Sequence, residues 1–143
     1  MLQLPSLEEK IKTDGGWDGA FDSFTKFVRQ HVDEGGENGS NDYCAKMMEI
    51  RKMTKANCKP MNTFIHAKKE DVEAVCLNNK PISKNIYKSN VTFSVTICIN
   101  NKRPPNSPCE YTANKVKGYI KIECDKKKPV RFVDLVPALV SVS

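Results

Sequence analysis

The chain has 143 residues, enough for one domain with a modest core. Lysine and arginine outnumber aspartate and glutamate by 23 to 17, a net charge of +6 that favours a polyanionic partner: nucleic acid, anionic lipid or a heparin-like glycan. The six cysteines are even in number and fit three disulfides in an oxidising compartment. The absence of Cys-x-x-Cys and the wide separation of the two histidines argue against zinc and against any cofactor.

No apolar run approaches the length of a membrane span. The start, Met1-Leu-Gln-Leu-Pro5, lacks the apolar segment of a signal peptide and reads as a mature chain with Met1 added to it. Residues 1–16 mix apolar and charged residues, end in Asp14-Gly15-Gly16, and are expected to form a flexible N-terminal extension ahead of a single domain over 17–143. From Trp17 to about Val32, Phe21, Phe24, Phe27, Val28 and His31 recur at spacings of three and four, so they share one face of a helix. Glycines 35, 36 and 39 end it. Asn41 or Asp42 can cap a second helix running to about Thr54, with Cys44, Met47 and Met48 on its buried side.

In Cys58-Lys-Pro-Met-Asn-Thr-Phe-Ile-His66, Asn62, Phe64 and His66 alternate with Thr63 and Ile65, which predicts a strand with one face in the core and one available. Lys59 sits between a cysteine and a proline, so a disulfide there would anchor it. A fixed cation beside an amide and a hydroxyl suits an anionic ligand carrying a polar heterocycle. A disulfide-stapled strand with a surface lysine is the plainer reading of the same residues. A third helix is expected over Lys68 to Cys76, with Val72 and Val75 inward, and strands follow. Val91 to Ile99, Cys109 to Tyr111, Lys117 to Cys124 and Val130 to Val133 alternate β-branched with polar residues. Asn100 to Pro108 and Lys126 to Lys128 read as turns, and Leu135 to Ser143 as an apolar tail that folds back. Helices first and antiparallel strands later predict an α+β domain. The sequons Asn38-Gly-Ser and Asn90-Val-Thr are glycosylation candidates and agree with secretion.

The stretch Cys58-Lys-Pro-Met-Asn-Thr-Phe-Ile-His66 resembles the signature Cys-Lys-x-x-Asn-Thr-Phe-x-His of the pancreatic-type ribonuclease (RNase A) superfamily. Lys26-Phe-Val-Arg-Gln-His31 is similar to the first helix of that family. The resemblance covers roughly residues 20–134 and implies three helices packed on a curved antiparallel sheet. It also implies disulfides Cys44–Cys98, Cys58–Cys109 and Cys76–Cys124. The lack of a further cysteine pair between Cys76 and Cys98 looks most like the angiogenin branch.

RNA is cut without metal when a base takes the 2′ proton, an acid protonates the leaving 5′ oxygen, and a cation stabilises the charged phosphorus centre. The resemblance implies His31 as base, Lys59 as cation and Thr63 as the pyrimidine contact. It implies Gln30 and Lys26 at phosphates, Asn62 and Phe132 as supporting residues, and His66 as structural. The family's closing motif is Pro-Val-His-Phe-Asp; this chain has Pro129-Val130-Arg131-Phe132-Val133, so Arg131 stands where the acid belongs. Guanidinium does not release its proton at ordinary pH. The carboxylate that normally orients the acid is replaced by Val133. Asp134 is one residue on and, in a regular strand, would point the other way.

The expectation is therefore a secreted, monomeric protein that binds RNA, another polyanion, or a cell-surface receptor or glycan, with catalysis lost or strongly impaired. An active but slow pyrimidine-preferring endoribonuclease working through a 2′,3′-cyclic phosphate is the first alternative. A cationic antimicrobial protein is the second.

Overall fold

A computed structural model describes residues 19–35, 40–102, 104 and 107–138. The expected extension and the sequon at Asn38 lie outside the described residues. Helix α1 (Gly19–His31) forms over the apolar stripe and buries Phe24, Phe27 and His31. Helix α2 (Asn41–Ile50) buries Cys44 and Met48. Its cap is Ser40, whose side chain accepts from the Tyr43 amide, and not Asn41 or Asp42. The Asn41 side chain instead accepts from the Ala113 amide, 2.8 Å away. The helix also stops short of Thr54, because Lys52 takes a left-handed φ of 65°.

Strand β1 (Met61–Ile65) is followed by helix α3 (Lys69–Asn78), which turns Val72, Val75 and Cys76 inward. A short hairpin of β2 (Pro81–Ser83) and β3 (Ile86–Lys88), which carried no periodic signal, precedes β4 (Phe93–Asn100). Strand β5 (Tyr111–Asp125) is one element of 15 residues where two were expected. Strand β6 (Lys128–Pro137) takes in the first residues of the expected apolar tail.

All six strands form one antiparallel sheet in the order β1-β4-β5-β3-β2, with β6 on β5. The long β5 makes this possible. Residues 111–118 pair β4, 121–123 pair β3, and 118–125 pair β6. Lys126 and Lys127 close the β5–β6 hairpin with φ values of 52° and 66°, the positive pair that a tight two-residue turn requires.

The three disulfides are Cys44–Cys98, Cys58–Cys109 and Cys76–Cys124. They tie α2 to β4, the β1 approach to the β5 approach, and α3 to β5. Each closes a loop of about 50 residues, worth on the order of 4 kcal/mol by loop-closure entropy.

β1 differs from its expected one-sided burial: Asn62, Thr63, Phe64 and Ile65 are all buried. Ile65 packs into a core with Phe27, Val72, Val75, Phe93, Val95, Ile120 and Ile122. Phe64 packs into a second core with Cys44, Met48, Met53, Cys98 and Tyr111. Alternation sends successive side chains to opposite faces, and here each face meets its own apolar cluster.

Gly118 permits a close approach of β6 to β5. A β-carbon there would stand 2.4 Å from the Val136 carbonyl oxygen and 2.9 Å from Pro137 Cα, both backbone atoms with little freedom to retreat. Gly118→Ala is expected to cost about 1–3 kcal/mol, read as a lowered urea midpoint with an unchanged denaturant slope. A variant as stable as the parent would show that the end of β6 is not held against β5.

Candidate active site

The site is built where the end of α1 meets β1. The Asp33 amide bonds to the Ile65 carbonyl (2.9 Å), next to an isolated parallel bridge between Val32 and Ile65. The Asn62 side-chain amide donates to the Gln30 carbonyl at 2.8 Å. Arg51, just past α2, braces the helix end by donating to the carbonyls of Val28, Arg29 and Val32 at 3.3, 2.8 and 2.9 Å. Arg29 returns a bond to the Arg51 carbonyl. Asp33 accepts from the Tyr43 hydroxyl at 2.6 Å and lies 3.6 Å from Arg51.

His31 is the last residue of α1 and is 7 % exposed. Its ring packs between Phe27 and Phe132, with centroids at 5.0 and 5.5 Å. Its Nδ1 lies 2.9 Å from the Thr63 carbonyl oxygen. A carbonyl only accepts, so Nδ1 carries the proton and Nε2 keeps its lone pair. Burial is the main force holding the imidazole pKa down to about 4. The bond to Thr63 opposes that shift and the charge on Lys59 adds to it. At neutral pH the ring is an uncharged base.

Lys59 is half-buried and donates to Asn62 Oδ1 at 2.9 Å. Its backbone is fixed on both sides: the amide donates to the Met53 carbonyl (3.1 Å), and the carbonyl accepts from the Tyr111 hydroxyl (2.8 Å). Burial lowers its pKa first, then repulsion from Lys26 and Arg29. The expected anchoring of this lysine by its neighbouring disulfide is thus shared with Tyr111 and Asn62.

A cleft of about 710 Å³ brings together Lys26, Gln30, His31, Lys59, Asn62, Thr63, Arg131 and Phe132. All the expected catalytic and substrate-binding positions therefore border one space. Leu135 and Pro137 border it too, beside Ile97 and Val116, so the C-terminal strand forms part of its wall. His66 lies elsewhere. Its Nδ1 donates to the Asp33 carbonyl (2.9 Å) and its Nε2 accepts from the Thr96 hydroxyl (2.7 Å), leaving neither nitrogen for chemistry. Asn90 is exposed on the connection between β3 and β4. Among the described residues no group of acidic, histidine or cysteine side chains is placed to hold a metal.

The Arg131 side chain is exposed, and its Nε donates to Glu123 at 2.7 Å. Strand β6 carries two irregularities, and the pairing depends on the first. The register passes from Cys124↔Pro129 to Glu123↔Arg131, skipping Val130, and from Ile122↔Phe132 to Lys121↔Asp134, skipping Val133. Without the first skip, Arg131 would not face Glu123. The second corrects the expectation for Asp134: opposite Lys121, two residues from Glu123, it shares the face of Arg131. Its carboxylate is nevertheless turned to the Leu135 amide at 2.8 Å. Sequence reasoning missed Glu123 and Arg51, and for the Glu123–Arg131 pair no signal short of the bulge positions would have found it.

A family model described as pancreatic ribonuclease matches residues 22–140. The chain belongs to the pancreatic ribonuclease family. It is 38 % identical to an angiogenin of Saguinus oedipus over 111 residues, spanning 76 % of this chain and 75 % of that protein. It is 42 % identical to a pancreatic ribonuclease of Mus pahari over 110 residues, 72 % of each. Among solved structures it is similar to green turtle egg-white ribonuclease, with a TM-score of 0.74 and 32 % identity, covering 80 % of this chain and 98 % of that one. Zebrafish RNase5 is matched with a TM-score of 0.69 and 35 % identity, covering 81 % of this chain and 96 % of that one. Similarity to angiogenins and to pancreatic ribonucleases is thus of one order.

The buried neutral His31 makes stability depend on pH. The unfolded chain binds a proton to this ring near 6.5, the folded one only near 4. Its contribution is complete above 6.5 and is lost as pH falls to about 4, by roughly 3 kcal/mol. Urea midpoints at pH 7, 5.5 and 4 are expected to fall in that order, with the step much reduced in His31→Gln. An equal fall in both proteins would assign the loss to other groups.

Proposed function

We propose that this member of the pancreatic ribonuclease family is a secreted protein that binds RNA in the cleft and cleaves it weakly or not at all. The observation that carries the reading is the pairing of Arg131 with Glu123 at the position of the general acid, in a chain whose only other histidine, His66, is bonded at both nitrogens. Membership of the family supports RNA as the ligand, and the cationic cleft supports a polyanion. Three disulfides support an extracellular setting. Among the described residues no helix is long and apolar enough to cross a membrane.

In this reading His31 Nε2 takes the proton of the ribose 2′-hydroxyl, and that oxygen attacks phosphorus. Lys59 and the Gln30 side chain stabilise the added negative charge, while Thr63 contacts a pyrimidine. The bond from phosphorus to the 5′ oxygen then breaks to leave a 2′,3′-cyclic phosphate. The leaving oxygen departs without a proton, because guanidinium keeps its own. The Arg131 terminal nitrogens remain available to a phosphate oxygen. General acid catalysis contributes about 10²–10⁴ in rate, so binding outlives turnover.

The alternative of a slow, pyrimidine-preferring endoribonuclease has one observation in its favour. Burial lowers the Lys59 pKa, which makes its ammonium a better proton donor than an exposed lysine.

A fluorogenic oligonucleotide with one pyrimidine ribonucleotide tests the choice. Arg131→His is expected to cut about 10²–10⁴ times faster than the parent, and His31→Ala in that background to abolish the gain. A parent that already cuts as fast as Arg131→His would overturn the reading.

A further inference from the structure

Arg131 is held from outside the cleft that it borders. Glu123 accepts from its Nε at 2.7 Å, yet Glu123 is not among the residues that line that space. The carboxylate stands on a firm base. Strand β5 is paired on both sides here, with Ile86 of β3 opposite Glu123 on one side and Arg131 of β6 on the other. The Glu123 side chain is 34 % exposed and that of Arg131 60 %, so packing restrains the acid more than the base. Among the described residues Arg131 forms no second ion pair. The Asp134 carboxylate, on the same face, is committed to the Leu135 amide.

A guanidinium presents two edges, one made of Nε and an Nη nitrogen, the other of both Nη nitrogens. Either edge can take two phosphate oxygens in parallel. An acceptor on Nε closes the first edge and leaves the second open. A long exposed side chain loses rotamer freedom when it grips a ligand, and that loss is subtracted from affinity. An arginine already tethered at Nε has lost part of that freedom beforehand. The charge of the carboxylate works the other way, since it repels a phosphate. On an exposed pair, salt and solvent weaken that repulsion. The tether and the charge are therefore separable effects of one side chain.

We propose that Glu123 is a positioning residue for phosphate binding: by holding Nε of Arg131 it presents the Nη edge of the guanidinium to a backbone phosphate of RNA in the cleft. This rests on the reading of the cleft as an RNA site. Glu123 itself touches no ligand and acts only through Arg131.

The test measures the affinity of the full-length chain for a single-stranded RNA oligonucleotide over a range of salt. Glu123→Gln and Glu123→Ala are compared, each alone and combined with Arg131→Ala. Both substitutions remove the same charge, but only glutamine keeps an oxygen that can accept from Nε. Glu123→Gln is expected to bind RNA about threefold or more tighter than Glu123→Ala, the worth of one modest hydrogen bond. With Arg131→Ala present the two should bind alike, and the salt slope should be shallower by about one counterion. Equal binding by Glu123→Gln and Glu123→Ala while Arg131 is present would overturn the proposal, because Glu123 would then act by charge alone. A difference that survives Arg131→Ala would also overturn it, because Glu123 would then act through the sheet. If Arg131→Ala changes neither affinity nor slope, the proposal falls while RNA binding in the cleft stands. If Lys59→Ala also leaves RNA binding unchanged, the reading of the cleft falls with it.

Discussion

The hydrogen bond from His31 Nδ1 to the Thr63 carbonyl is the contact on which the rest of the site depends. It joins the last residue of a helix to the middle of a strand, and it chooses the tautomer that leaves Nε2 basic. Neither partner holds this geometry alone. The helix end is braced by Arg51 and sealed by Phe27 and Phe132. The strand is buried on both faces, with Phe64 in one core and Ile65 in the other. A strand so enclosed has little freedom to shift register, because a one-residue slip would exchange the side chains between two differently shaped cores. The same burial that stabilises the strand lowers the affinity of His31 for a proton. Packing and chemistry are here one constraint.

The edge of the site is built differently. Arg131 sits on β6, exposed and held by a cross-strand carboxylate. An arginine in this place adds positive charge to a cleft that already holds Lys26 and Lys59, so it favours an anion while removing a titratable donor. Affinity and turnover are thereby separated.

How far the sequence discloses this depends on the range of the interaction. The stripe Phe24, Phe27, His31 and the nine residues from Cys58 to His66 are local patterns that disclose α1 and β1, whereas the residues of the cleft are implied by the family resemblance. The family resemblance supplied the disulfide pairing that spacing left open. Strand β5 was read as two pieces because Thr112 to Lys115 carry no apolar alternation; they are strand because β4 pairs with them, not by their own preference. The burial of both faces of β1 required knowing that α2 and its disulfide cover the second face. The Glu123–Arg131 pair was hidden because the bulge at Val130 shifts the register, so that counting from the turn gives the wrong partner. Arg51 was hidden because helix-end bracing from another helix leaves no periodic mark.

The most direct test of an intact base without an acid is the dependence of cleavage on the leaving group. A pyrimidine nucleoside 3′-(4-nitrophenyl phosphate) expels a stable phenolate that needs no protonation, whereas a dinucleotide expels an alkoxide that does. The account predicts that the parent chain turns over the nitrophenyl ester at a rate close to that of Arg131→His, while lagging it by about 10²–10⁴ on the dinucleotide. A parent that lags Arg131→His equally on both substrates would contradict it, because the defect would then lie in the base or in binding and not in the missing acid.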